Sequence, residues 1–102
     1  MISLKPMASE SKYPAPSAQC LQHAAQLAIC EDRPMMLDYY ADSCDGKVVI
    51  GVRDGGEKLL VKSEDEYTSS ISKVYKVAEE YIILTENSLY IVSAKVATKR
   101  IS

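Results

Sequence analysis

Downstream of Pro34 the turn signals stand too close together for a helix to fit between them. Asp45-Gly46 and Asp54-Gly55-Gly56 have hairpin composition, residues 63–66 form a polar acidic loop, Glu79-Glu80 interrupts the next run, and Thr-Glu-Asn-Ser at 85–88 joins the last two runs. The intervening segments alternate apolar and polar residues with period two. They predict strands over 35–41, 47–53, 57–62, 71–78, 81–85 and 89–96. A parallel pair of successive strands needs a crossover of a dozen residues or more, so the pairing is expected to be antiparallel throughout.

One helix precedes these strands. Ser17 follows Pro16 as an N-cap, and Leu21, Ala24, Ala25, Ala28 and Ile29 recur at helical spacing, with Cys20 and Leu27 widening the stripe. Glu31 and Asp32 sit unfavourably at the negative end of the helix dipole, and Pro34 stops the helix. Residues 1–16 hold three of the four prolines and read as an extended arm. The expected organisation is an arm over 1–16, a single α+β domain over 17–97 and a short polar tail over 98–102. In that domain an N-terminal helix packs on an antiparallel meander of about six strands. One helix covers only one face, so the other must close into a partial roll or barrel, or meet a partner.

With 102 residues the chain builds one domain and one modest core. Its net charge of -2 and pI near 5.3 argue against nucleic acid, which calls for a basic patch. Three widely spaced cysteines, Cys20, Cys30 and Cys44, contain no C-x-x-C and fit a reducing compartment better than a disulfide scaffold. The N-terminus lacks the apolar core of a signal peptide, and no run is long enough to span a bilayer. These features predict an intracellular, cytoplasmic protein.

Chemistry-bearing constellations are sparse. His23, the one histidine, lies in the helix with no partner motif beside it. The run from Gly51 to Gly56 is glycine-rich but leads into a strand, where a phosphate cradle would lead into a helix. Asp42 and Asp45 lack the further oxygen ligands of a calcium loop. Ser63 and Tyr67 flank carboxylates, which suits either a solvated loop or acid-directed phosphorylation. No enzyme activity, cofactor or metal is expected.

Recognition residues are easier to name. There are seven tyrosines and no Trp or Phe. Tyr39, Tyr75, Tyr81 and Tyr90 fall in four different predicted strands and can share a protein-binding face, while Leu4, Met7 and Tyr13 are anchors in the arm. Lys73, Lys76, Lys99 and Arg100 would serve the alternative, a small nucleic-acid-binding β-barrel. The stretches PMMLDYYADS, EKLLVKSEDEYTSSISKVYKV and YIILTENSLYIVS resemble small uncharacterised proteins of large nucleocytoplasmic DNA viruses. That resemblance implies a virus-encoded protein packed in a virion or factory, and it carries no site residues. The expected function is therefore a non-enzymatic structural or protein-interaction module. It would be a homo-oligomer or a component of a larger assembly, acting through its arm and tyrosine-bearing sheet.

Overall fold

The computed structural model describes residues 15–101. The arm anchors Leu4, Met7 and Tyr13 lie outside that range. Helix α1 spans Ala18–Glu31, followed by β1 (Met35–Met36), a short helix α2 (Tyr40–Cys44), β2 (Val49–Val52), β3 (Lys58–Val61), β4 (Ile71–Val77), β5 (Glu80–Thr85), β6 (Leu89–Ser93) and β7 (Ala97–Arg100). The fold is α+β, with the N-terminal helix packed on a sheet.

Ser17 caps α1 as expected, its hydroxyl accepting from the Cys20 N–H at 3.1 Å. The Ser17 N–H itself donates to Glu80 Oε1 at 3.2 Å, which brings a buried carboxylate from β5 to the positive end of the helix. At the other end Asp32 takes a left-handed conformation (φ 54°), and its N–H closes on the Ala28 carbonyl.

The strands form a four-stranded sheet in the order β1-β6-β5-β4 and a three-stranded sheet in the order β3-β2-β7. There are thus two mixed sheets and no closed barrel. The β5–β6 hairpin lies at the centre. One face, carrying Ile82, Leu84, Leu89 and Ile91, packs against Cys20 and Ala24 of α1 and against Tyr40. The opposite face, carrying Ile83 and Val92, packs against Val48, Ile50 and Leu60 of the second sheet and against Tyr39. The hairpin turn is closed by Thr85, whose Oγ1 accepts from the Ser88 N–H at 3.1 Å and donates to the Ser88 carbonyl at 3.0 Å.

Several sequence expectations are corrected. The pairing is not antiparallel throughout: β1 pairs parallel with β6 and β2 parallel with β7. The argument from short connections holds for neighbours in sequence. These pairs join strands far apart in the chain, and the intervening elements serve as the crossover. The strand expected over 35–41 shrinks to two residues and gives way to α2. There the Ser43 hydroxyl donates to the Tyr40 carbonyl and accepts from the Ser93 N–H at 2.9 Å, which fastens α2 to the end of β6.

Asp45-Gly46 is consequently a helix exit rather than a hairpin. Gly46 has φ 75°, and the N–H groups of Gly46 and Lys47 bond back to the carbonyls of Ser43 and Asp42, a Schellman arrangement. Residues 98–100, expected to begin the polar tail, instead form with Ala97 the strand β7. The core stripe of α1 is also rotated from its expected position. Cys20 and Ala24 are buried, whereas Ala25 is exposed and Ile29 is 81% exposed. Small side chains at 20 and 24 let the helix lie close on the sheet, and Ile29 then sits about 140° around from Ala24 at ~100° per residue.

These placements separate two isoleucines that composition alone would rank together. Ile82→Ala is expected to cost about 2–5 kcal/mol of folding stability. Ile29→Ala should stay within about 0.5 kcal/mol of the parent. Urea denaturation of both variants beside the parent measures the difference.

Candidate interaction surface along strand β4

The site begins with a strand that has one neighbour. β4 forms the outer edge of the four-stranded sheet and among the described residues pairs in register only with β5. Its seven residues leave a row of backbone N–H and C=O groups facing outward. Register assigns its side chains to faces. Lys73 and Tyr75 stand opposite Leu84 and Ile82 and share the α1 side, whereas Val74 and Lys76 stand opposite Ile83 and Tyr81 on the other side. The second sheet packs on Ile83 and reaches Ile71 at the start of β4, whereas Val74 further along the strand remains 45% exposed.

On the helix side α1 and β4 diverge. Between them lies a groove of about 330 Å³ lined by His23, Gln26, Leu27 and Cys30 of α1 and by Tyr75, Val77 and Ile82 of the sheet. Leu27, Tyr75 and Val77 are only half-buried there. His23, Gln26 and Cys30 are exposed along the helix side. His23 has no carboxylate among the groove residues to orient it as a base.

The four sheet tyrosines do not share one free face. Tyr39, which lies in the loop before α2 rather than in a strand, meets Tyr90 edge-on with ring centroids 5.2 Å apart. Tyr81 joins them in the seam between the sheets, while Tyr75 lies on the helix side. Lys62 Nζ sits 4.5 Å from the Tyr39 ring centre and pairs with Asp42 at 3.5 Å and Glu66 at 3.8 Å. Burial pushes the Tyr39 hydroxyl up to about 12, helped by Tyr90, Asp38 and Glu66. Tyr90 is also raised, chiefly by burial.

The four candidate basic residues are dispersed as well. Lys73 and Lys76 point to opposite faces of β4, and Lys99 and Arg100 belong to β7 in the other sheet, where Arg100 pairs with Asp54 at 2.8 Å.

A second, more polar pocket of about 440 Å³ is lined by Tyr40, Cys44, Lys76, Glu79, Glu80 and Lys95, among others. Cys20 beside it is pushed up to about 11 by burial and then by the Glu80 carboxylate. Tyr40 is raised by burial and by its hydrogen bond with Cys44. These groups stay protonated at neutral pH, which removes the thiolate or phenolate a nucleophile would need. Among the described residues no group of three or more His, Cys, Asp or Glu could hold a metal ion, and no helix is long and apolar enough to cross a membrane.

Sequence reading missed the groove because its walls come from segments far apart in the chain. The available signal was His23 and Leu27, one turn apart on α1, together with the alternation of Tyr75 and Val77. Comparison with family models, with curated proteins and with solved structures finds no match.

Two titrations test this chemistry. A thiol reagent at pH 8 should modify the exposed Cys30 and Cys44 in the folded protein and reach Cys20 only on unfolding. A phenol raised from an ordinary value of 10.0 to about 12 stabilises the fold fully below pH ~10 and loses that contribution as pH rises toward 12. Stability measured across that range should therefore fall, with Tyr39 ionising late in a spectrophotometric titration. A flat profile would contradict the buried assignment.

Proposed function

We propose that this chain is a non-enzymatic protein-interaction module that receives an extended segment of a protein by strand addition at β4. The observation that carries the reading is the junction of an open seven-residue edge with an adjoining groove under α1. An added strand would hydrogen-bond to the outward backbone groups of β4, and its alternate side chains would enter the groove beside Leu27, Tyr75 and Val77. The backbone ladder supplies affinity, and the groove selects aliphatic side chains.

Lys73 and Lys76 modulate the choice. Edge lysines discourage indiscriminate pairing, including pairing with a second β4, and favour a segment that carries carboxylates. The protonated state of Cys20 and Tyr40 and the isolation of His23 weigh against catalysis. The dispersal of Lys73, Lys76, Lys99 and Arg100 over two sheets weighs against a nucleic-acid site. The viral resemblance makes a component of a viral assembly one partner of this type, reached through an edge and groove rather than a tyrosine-bearing face.

Peptide display against the full chain provides the test. Enriched sequences should alternate aliphatic residues and carry an acidic residue. Cys30→Arg at the groove should weaken their binding at least tenfold, while Lys99→Glu on β7 should leave it unchanged. Selection of no peptides, or of peptides insensitive to Cys30→Arg, would overturn the reading.

A further inference from the structure

We infer that β4 receives its partner antiparallel and in one register, as a segment that reads aliphatic, acidic, β-branched, unrestricted, acidic from its N-terminus; the inference rests on the strand-addition reading and specifies the partner's chemistry. The hydrogen bonds of the β5–β6 hairpin show which groups of β4 are free. The Thr85 N–H donates to the Ser88 carbonyl at 2.9 Å, and the Ala94 N–H to the Glu79 carbonyl at 3.0 Å. Bonded and unbonded pairs alternate along an antiparallel ladder. Ile83 and Tyr81 therefore also turn their backbone groups toward β6, which leaves those of Leu84, Ile82 and Glu80 for β4. Their partners Lys73, Tyr75 and Val77 bond inward, so Val74 and Lys76 direct N–H and C=O outward.

The outward row begins at Val74. The register shifts between Ile71 and Lys73, and the Ser72 hydroxyl at the shift donates to the Leu84 carbonyl at 3.0 Å. A bulge bends its strand and interrupts the ladder that a newcomer could extend. The spacing of the two outward residues favours an antiparallel newcomer. Residues opposite Val74 and Lys76 would each exchange a pair of hydrogen bonds with β4. The residue between them would face Tyr75 in an unbonded pair, where Cα atoms approach to about 4.5 Å and side chains are closest. A parallel newcomer forms slanted, slightly weaker bonds.

Register then assigns each side chain of the newcomer. Directly opposed residues share a face, so those opposite Tyr75 and Val77 point to the α1 side and enter the groove beside Leu27. Aromatic and β-branched residues pair well across strands, which favours Val or Ile opposite Tyr75. The residues opposite Lys76 and Lys73 meet exposed ammonium groups that form no ion pair among the described residues. Carboxylates complement both places. The residue opposite Val74 faces the open side of the strand and carries no requirement. An antiparallel segment meets Val77, Lys76, Tyr75, Val74 and Lys73 in that order, which gives the pattern stated above.

The test titrates the full chain with a synthetic peptide carrying Val-Glu-Val-Ser-Glu between Gly-Ser flanks, and with its charge-reversed forms. The peptide should bind the parent and slow amide exchange at Val74 and Lys76. A nuclear Overhauser contact should join the α-protons of Tyr75 and of the peptide's third residue. Lys76→Glu should weaken binding about fivefold, the upper range for an exposed ion pair, and Lys at the peptide's second position should restore it. Lys73→Glu should be restored by Lys at the fifth position. Crossed rescue, in which the fifth position restores Lys76→Glu and the second restores Lys73→Glu, means a parallel strand and overturns the inference. Absence of binding, or of any rescue, overturns it too. The strand-addition reading stands apart from these results: display-selected peptides that slow exchange at Val74 and Lys76 and lose binding in Cys30→Arg support it whatever their order of charges.

Discussion

The β5–β6 hairpin has side chains buried on both faces, and no single layer can dry both. Ile82, Leu84, Leu89 and Ile91 require cover from one side, Ile83 and Val92 from the other. Each exposed aliphatic side chain would forfeit about 1.5–3 kcal/mol of transfer free energy, so both covers are needed. The alanine-rich helix supplies the first because Cys20 and Ala24 let its backbone approach closely. Strands β2 and β3 supply the second through Ile50 and Leu60, with Val48 and Tyr39 beside them. The layers are tied by polar links: Glu80 holds the start of α1, and Ser43 joins α2 to β6.

Much of this arrangement was legible wherever a local physical rule dominates. Ser17 before an apolar stripe reads as an N-cap. Gly55 and Gly56, at φ 90° and 92°, close the turn their composition indicates, and Thr85 organises the turn before β6. Even the need for a second cover could be argued from one helix and too many apolar faces. What failed depended on distant partners. Asp45-Gly46 suits a hairpin and a helix exit equally, and only the anchoring of Ser43 by Ser93 decides between them. The polar residues of β7 show no strand signal because their pairing with β2 is what makes them a strand. Ile29 was misplaced because close approach at Ala24, not the number of aliphatic residues, sets the rotation of α1.

The candidate site was less legible than the fold. Tyrosines attract notice in a sequence without Trp or Phe, yet Tyr39, Tyr81 and Tyr90 are used to fill a seam between sheets. A recognition groove is a property of two elements and the gap between them, so no single residue announces it. The residue types that looked most reactive were quenched by their surroundings, as burial holds Cys20 and Tyr39 protonated well above neutrality. Reactivity was suppressed where the core is dense, and accessibility was kept where the sheet ends.

The parallel pairing of β2 with β7 also sets an order of events in time. Val49 finds its partner only at Ala97, after β3, β4, β5 and β6 have all been laid down. Hairpins close over short loops and form early, whereas a pairing between distant segments carries a larger loop-closure cost. During synthesis, β2 and β3 thus exist for a time as a two-stranded ribbon with an unpaired border. In that interval the outer side of β2 is the border of the sheet, a place that β7 takes over once it docks.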